Sequence, residues 1–245
     1  IKLLTVMVYN EINSKAVSSL SKFGLSAAIL TTLLAIITFG MAVSTPPLSG
    51  PLCTVEGFTY PYLDIASRFP RDYLWMYPAI LLSICTLILI IAVHQVTPGG
   101  KKHFSLVSVH IATISSLILI LTYFVQISVI QPALLAGESD GISILSQYNP
   151  HGLFIVMEEA GFSLLILSLL FLAPVFSKPT GLERIIRWSF ILGFIFALFA
   201  FVLISLFYGI NREYRFEIAV ITIAWIELIV SGVGLVIFFN DYQSV

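Results

Sequence analysis

Six long apolar runs divide this chain, and their length leaves few folds open. They cover approximately Phe23–Val43, Leu74–Val96, Phe104–Ile130, Leu153–Phe176, Ile185–Tyr208 and Ile218–Phe239. A helix rises 1.5 Å per residue, so about 20 residues cross a hydrocarbon core of about 30 Å. The runs are separated by residues that stop helices: Pro46-Pro47, Pro98-Gly99-Gly100, Pro132, Asn149-Pro150, Pro179-Thr180-Gly181 and Gly209-Ile210-Asn211. The expected fold is all-α: a polytopic transmembrane six-helix bundle forming one domain over residues 1–245. Only 10% of residues are charged, against about 25% in a soluble domain, and mean hydropathy is +1.02. With a net charge of −1 and no basic patch, nucleic acid is not an expected partner. The expected partner is the lipid bilayer.

The first run follows Lys15 and Lys22 and ends near Ala42-Val43-Ser44, which resembles a small-residue cleavage site. It is longer than the 7–15 apolar residues of a signal peptide, so it is read as the first span. The two cysteines do not suggest a disulfide framework. Cys53 falls in a loop and Cys85 inside a span, with no CxxC and no zinc-type Cys/His spacing. No metal site is expected.

Loop charge sets the expected orientation. Lys2, Lys15, Lys22, Lys101, Lys102, Lys178, Arg184 and Arg187 lie on one side; Arg68, Arg71, Arg212 and Arg215 lie on the other. Both termini are therefore expected in the cytoplasm, in a multi-pass plasma-membrane protein. The connections 45–73 and 131–152 then face outward. Tyr60, Tyr62, Tyr73, Trp75, Tyr77 and Tyr148 at their edges read as an interfacial aromatic belt.

Acidic residues inside the runs carry the functional signal. Glu227 lies mid-run in IAVITIAWIELIVSGVGLVIFF, and Glu158-Glu159 lie in the fourth run. A carboxylate at such depth costs about 2.5–3.5 kcal/mol on insertion scales, which makes it a functional candidate by default. Every lysine and arginine lies in a loop or at a helix end. These acids are therefore expected to be protonated, bonded to neutral groups, or available to a cation. Helical spacing places Glu217, Val220, Ala224, Glu227, Ser231 and Gly234 on one face. The third run offers Ser105, Ser108, Ala112, Ser115, Leu119, Thr122 and Gln126. The first offers Ala28, Thr31, Ala35, Thr38 and Ala42, and the fourth His151, Phe154, Glu158, Gly161, Leu165 and Ser168. Small and polar residues are what helices in lipid use to approach and bond one another.

Counting from span midpoints puts Glu158, Tyr123 and Gln126 in the outer half of the membrane, with His151 and Asn149 at the mouth of a shared polar cavity. The simpler reading of Tyr123, Gln126, the serines and the threonines is interhelical hydrogen bonding. Glu159 is about 100° round the helix from Glu158, so the two cannot point at one spot. His151, after Asn149-Pro150, also reads as a helix-starting turn. His94 and His110 flank the 97–103 loop, and two histidines on adjacent helices can ligate haem. Single histidines near helix ends are common and no second pair exists, so no haem or other cofactor is expected. Phosphate loops, GxSxG elbows and HExxH sites are absent.

The stretch Tyr148-Asn149-Pro150-His151-Gly152-Leu153-Phe154, followed by Glu158-Glu159, resembles segments of uncharacterised six-span prokaryotic integral membrane proteins. The resemblance covers about 30 residues. It implies six helices and supplies no activity, cofactor or site.

Three functions remain open at this stage. The first is binding or transport of a small molecule or cation, with buried glutamates as proton or cation sites. The second is a membrane-embedded enzyme acting on a lipid-like substrate, which needs a second titratable group in reach of Glu158 or Glu227; Tyr123 and His151 are the candidates. The third is a non-catalytic subunit or sensor in a homo-oligomer or larger membrane complex.

Overall fold

The computed structural model describes residues 2–45, 48–53 and 57–242, with side chains from residue 18 onward. The Pro46-Pro47 break and the side chains of Lys2 and Lys15 lie outside the described residues. The described residues are helical, with no strand, and six helices are long and apolar enough to cross a membrane. The protein is an integral membrane protein of multi-pass type. Its helices are α1 (Lys2–Val43), α2 (Met76–Val96), α3 (Lys102–Val125), α4 (Leu153–Leu172), α5 (Gly181–Tyr208) and α6 (Tyr214–Tyr242).

Several boundaries differ from the sequence reading for local reasons. α4 stops at Leu172, before Pro174, which cannot continue a helix. α5 starts at Gly181 because Thr180 caps it. The Thr180 Oγ1 accepts from the Glu183 N–H at 3.3 Å, and the Glu183 carboxylate accepts from the Lys178 N–H at 2.8 Å. α3 runs on past its expected end. Its ladder widens to a π turn over Gln126–Ile130, then closes again over Gln131–Leu135. Pro132 sits at the start of that last turn, where its missing N–H is not needed.

Consecutive helices pack side by side, α6 closes the ring against α1, and α4 also touches α6. The contacts follow the small-residue faces. Ala28, Thr31, Ala35 and Thr38 of α1 are fully buried, as are Ser105 and Ser108 of α3. Ser115 Oγ donates to the Gly161 carbonyl at 2.7 Å, and Ser108 and Ser168 bond each other at 3.0 Å, so α3 and α4 are stitched along their length. A Cβ on Gly161 would meet Leu119, and one on Gly234 would meet Ile186 of α5. The opposite faces, such as Leu192, Phe196 and Phe199 on α5, are exposed apolar surface.

The two long connections, 44–75 and 136–152, lie at one end of the bundle and are packed together there. Arg68 holds Asp72 through two bonds, Nε to Oδ2 at 2.7 Å and Nη2 to Oδ1 at 3.1 Å. Tyr148 of the other connection donates to the same carboxylate at 2.8 Å. Ser49 bonds the Tyr148 carbonyl, and its hydroxyl lies 2.7 Å from that of Tyr214. Tyr62, Tyr73, Trp75 and Tyr148 are therefore buried in this cover. That corrects their reading as belt residues; Tyr60 and Tyr77 remain exposed.

Candidate functional site: an acidic cavity under the loop cover

Beneath the cover is a cavity of about 290 Å³. Its wall combines the end of α1 (Phe39, Ala42, Val43), the entry to α2 (Asp72, Trp75), the first turns of α4 (Phe154, Glu158) and the first three turns of α6 (Tyr214, Glu217, Ile221, Trp225), with Leu48, Gln147 and Tyr148 from the connections. Six aromatic rings line it. Trp225 is packed edgewise by Trp75 at 6.4 Å and by Phe162 at 5.8 Å between centroids. No lysine, arginine or histidine contributes to the wall.

Glu158 and Glu217 give the cavity its chemistry. Both carboxyls lie on the same part of the wall, close enough to interact with each other. The Tyr123 hydroxyl donates to Glu158 Oε1 at 2.8 Å. Glu158, Glu217 and Tyr123 are 1%, 6% and 0% exposed, so bulk water does not compete for these groups. The pair exists because α4 and α6 both begin at the cover end and run parallel there. The third acid of the wall, Asp72, is already matched by Arg68 and Tyr148. Hydrogen bonding to Asp72 raises the Arg68 guanidinium above its usual value. Burial, then the neighbouring Tyr73 and Asp72, raise the Tyr148 phenol likewise.

The remaining sequence candidates are dispersed. Glu159 does not lack a basic partner: Arg212 folds back from the α5–α6 loop to lie 3.2 Å from its Oε2. Arg212 also stacks over Phe201 and Phe216, 5.0 and 5.6 Å from their centroids. Gln126 does not line the cavity. Its side chain donates to the Leu145 carbonyl at 2.6 Å and accepts from the Gln147 N–H at 3.1 Å, fastening the 136–152 connection. His151 is not at the cavity mouth. Its ring is largely exposed, 3.6 Å from the Glu213 carboxylate, and its N–H is held by Asn149 Oδ1 at 2.9 Å. Glu227 points away from the cavity toward Gly193 of α5. The expected single cavity for these groups is thus corrected to a pair plus a tyrosine. His94 Nδ1 bonds Ser105 Oγ at 2.8 Å, and His110 is exposed.

Glu217 is the candidate that sequence reading left out of the site. It stood on the polar face of the last run, but just outside the expected span start at Ile218. No family model, curated protein or solved structure matches the chain.

Proposed function

We propose that this membrane protein binds a small organic cation in the cavity and exchanges it for a proton at the Glu158–Glu217 pair. One observation carries the reading: two buried carboxyls lie together on the wall of an aromatic-lined cavity without a basic side chain. The two occupied states balance electrically. With two protons the pair is neutral; with one proton and a bound cation the site is neutral again. Either state avoids a bare charge in hydrocarbon, which costs several kcal/mol. Aromatic faces add cation–π attraction, about 2 kcal/mol where desolvated. The cavity volume suits a ligand at the small end of the usual range, such as a primary arylalkyl ammonium ion.

The loop-charge bias supports an orientation with both termini in the cytoplasm, in which the covered cavity faces outward. Transport would then use the loop cover as its outer gate. The Tyr123–Glu158 bond favours a second reading, an acid–base site acting on a lipid-like substrate, since it supplies the titratable neighbour that an enzyme needs.

The test is calorimetric titration of the purified full chain in lipid nanodiscs with phenethylamine, in buffers of different ionisation enthalpy. Binding should release about one proton in wild type. Glu217→Gln and Glu158→Gln should abolish both heat and proton release. Absence of amine binding, or binding with unchanged proton release in both variants, refutes the proposal and leaves the enzyme and subunit readings.

A further inference from the structure

Among the described residues, Glu227 is the buried mid-helix acid that the cavity does not use and no cation offsets. It sits one residue from the midpoint of α6 (Tyr214–Tyr242, midpoint 228) and is 4% exposed. Neither of its carboxyl oxygens has a hydrogen-bond partner among the described residues. Its carboxyl occupies the space that a side chain at Gly193 would fill; a Cβ there would collide with both oxygens. The α5 face around it is Phe190, Gly193 and Ala197, all buried and none able to donate.

No charged group reaches it from a neighbouring helix. On α5 the nearest are Glu183, Arg184 and Arg187, six or more residues from Gly193, about 9 Å or more along the axis. Lys22 is the only charged residue among the described side chains of α1, at its far end. On α4, Glu158 is committed to Tyr123 and Glu217, and Glu159 to Arg212. Within α6, Glu217 is ten residues away and Asp241 fourteen. The described residues hold no group of three or more His, Cys, Asp or Glu side chains fit to bind a metal ion. The ligand that suits an isolated carboxyl in a dry seam is a proton.

We propose that Glu227 is a second proton-binding site, separate from the cavity, and that its proton keeps α5 packed against α6. With the proton in place the carboxyl is a compact polar group fitted over Gly193. Losing it leaves a full charge facing a glycine and two apolar side chains that cannot solvate it. Water can reach that charge only if α5 moves off α6. α5 is suited to move, because only Glu183, Ile186, Phe190, Gly193 and Ala197 of its 28 residues are buried.

The test pairs infrared difference spectroscopy with distance measurement on the full chain in nanodiscs. Wild type should show a carbonyl band of a neutral carboxylic acid that fades as pH is raised. Glu227→Gln should remove this band, while Glu158→Gln and Glu217→Gln should leave it. Spin labels at Ile195 of α5 and Val230 of α6, both on exposed faces, should separate as the band fades, and should hold their distance in Glu227→Gln. Glu227→Gln should still bind phenethylamine, which keeps this test independent of the cavity proposal. A Glu227 signal that is carboxylate throughout, or acid throughout, overturns the proton site. Fading without label separation, or equal separation in Glu227→Gln, overturns its link to α5.

Discussion

Replacing Gly161 by leucine tests whether the α3–α4 seam holds the bundle in register. A Cβ at this position falls 2.6 Å from Leu119 Cδ2 and 2.7 Å from its Cγ, so a leucine must push α3 and α4 apart. Overpacking of a tight contact costs about 1–3 kcal/mol. Separation also strains the Ser115–Gly161 and Ser108–Ser168 bonds, each worth about 0.6 kcal/mol in a membrane protein. Against this, leucine regains about 0.7 kcal/mol of helix propensity over glycine, a little less than alanine would. The net expectation is about 1.5–3.5 kcal/mol of destabilisation. Gly40→Leu is the matched control. It makes the same substitution in an apolar helix, but a Cβ there meets nothing within 4 Å. Reversible unfolding by dodecyl sulfate in bicelles, followed by tryptophan fluorescence, reads both. Gly161→Leu should lower the unfolding free energy by the stated amount, and Gly40→Leu should leave it unchanged or raised. Equal effects of the two, or a stable Gly161→Leu, would sink the seam assignment and with it the alignment that brings Tyr123 to Glu158.

Glu159→Gln should retain amine binding, because its carboxylate belongs to Arg212 and not to the cavity; loss of binding there would merge the two sites. Tyr123→Phe should cost about 0.6–1.5 kcal/mol in the same unfolding assay, and an unchanged midpoint would mean its hydroxyl contributes nothing. The Tyr148 phenol titrates above its ordinary value in the fold, so its contribution is complete below the unfolded value of about 10 and is lost as pH rises beyond it. Tyr148→Phe should therefore flatten the alkaline fall in stability, and an identical fall would discount that group. A cysteine at Asp140, in a chain without Cys53 and Cys85, should react with an impermeant maleimide added to intact cells. Reaction only after permeabilisation reverses the topology.

The six spans and their packing faces were legible because both are local. Apolar length is read directly from the chain, and a 3-4 spacing fixes which residues share a helix side whatever lies opposite. Every residue expected on the α3 face from Ser105 to Gln126 is buried. Pairings between distant segments left no such trace. Arg212 reaches Glu159 across 53 residues, by folding back from a loop that charge counting assigned to solvent. Glu217 lay one residue outside the apolar run because Tyr214, Arg215 and Glu217 itself lower local hydropathy. The helix nonetheless begins at Tyr214, since Tyr214 and Phe216 are buried under the cover. Depth estimates failed for Gln126 because depth gives no direction. Its side chain turns to the backbone of the 136–152 connection, where two bonds await it.

Glu217 and Glu227 show how one helix face can carry two chemistries. Ten residues at 100° each leave them about 80° apart around α6, close enough to read as a single stripe. That angle directs Glu217 toward Glu158 of α4 and Glu227 onto α5. Glu217 meets a second carboxyl and, through it, a phenol, so its site has several oxygens and an adjoining volume. Glu227 meets a glycine and has neither. A cation needs multiple ligands and room, whereas a proton needs one oxygen and no room at all. On the proposed readings, exchange of a cation for a proton belongs under the cover, and protonation alone in the α5–α6 seam.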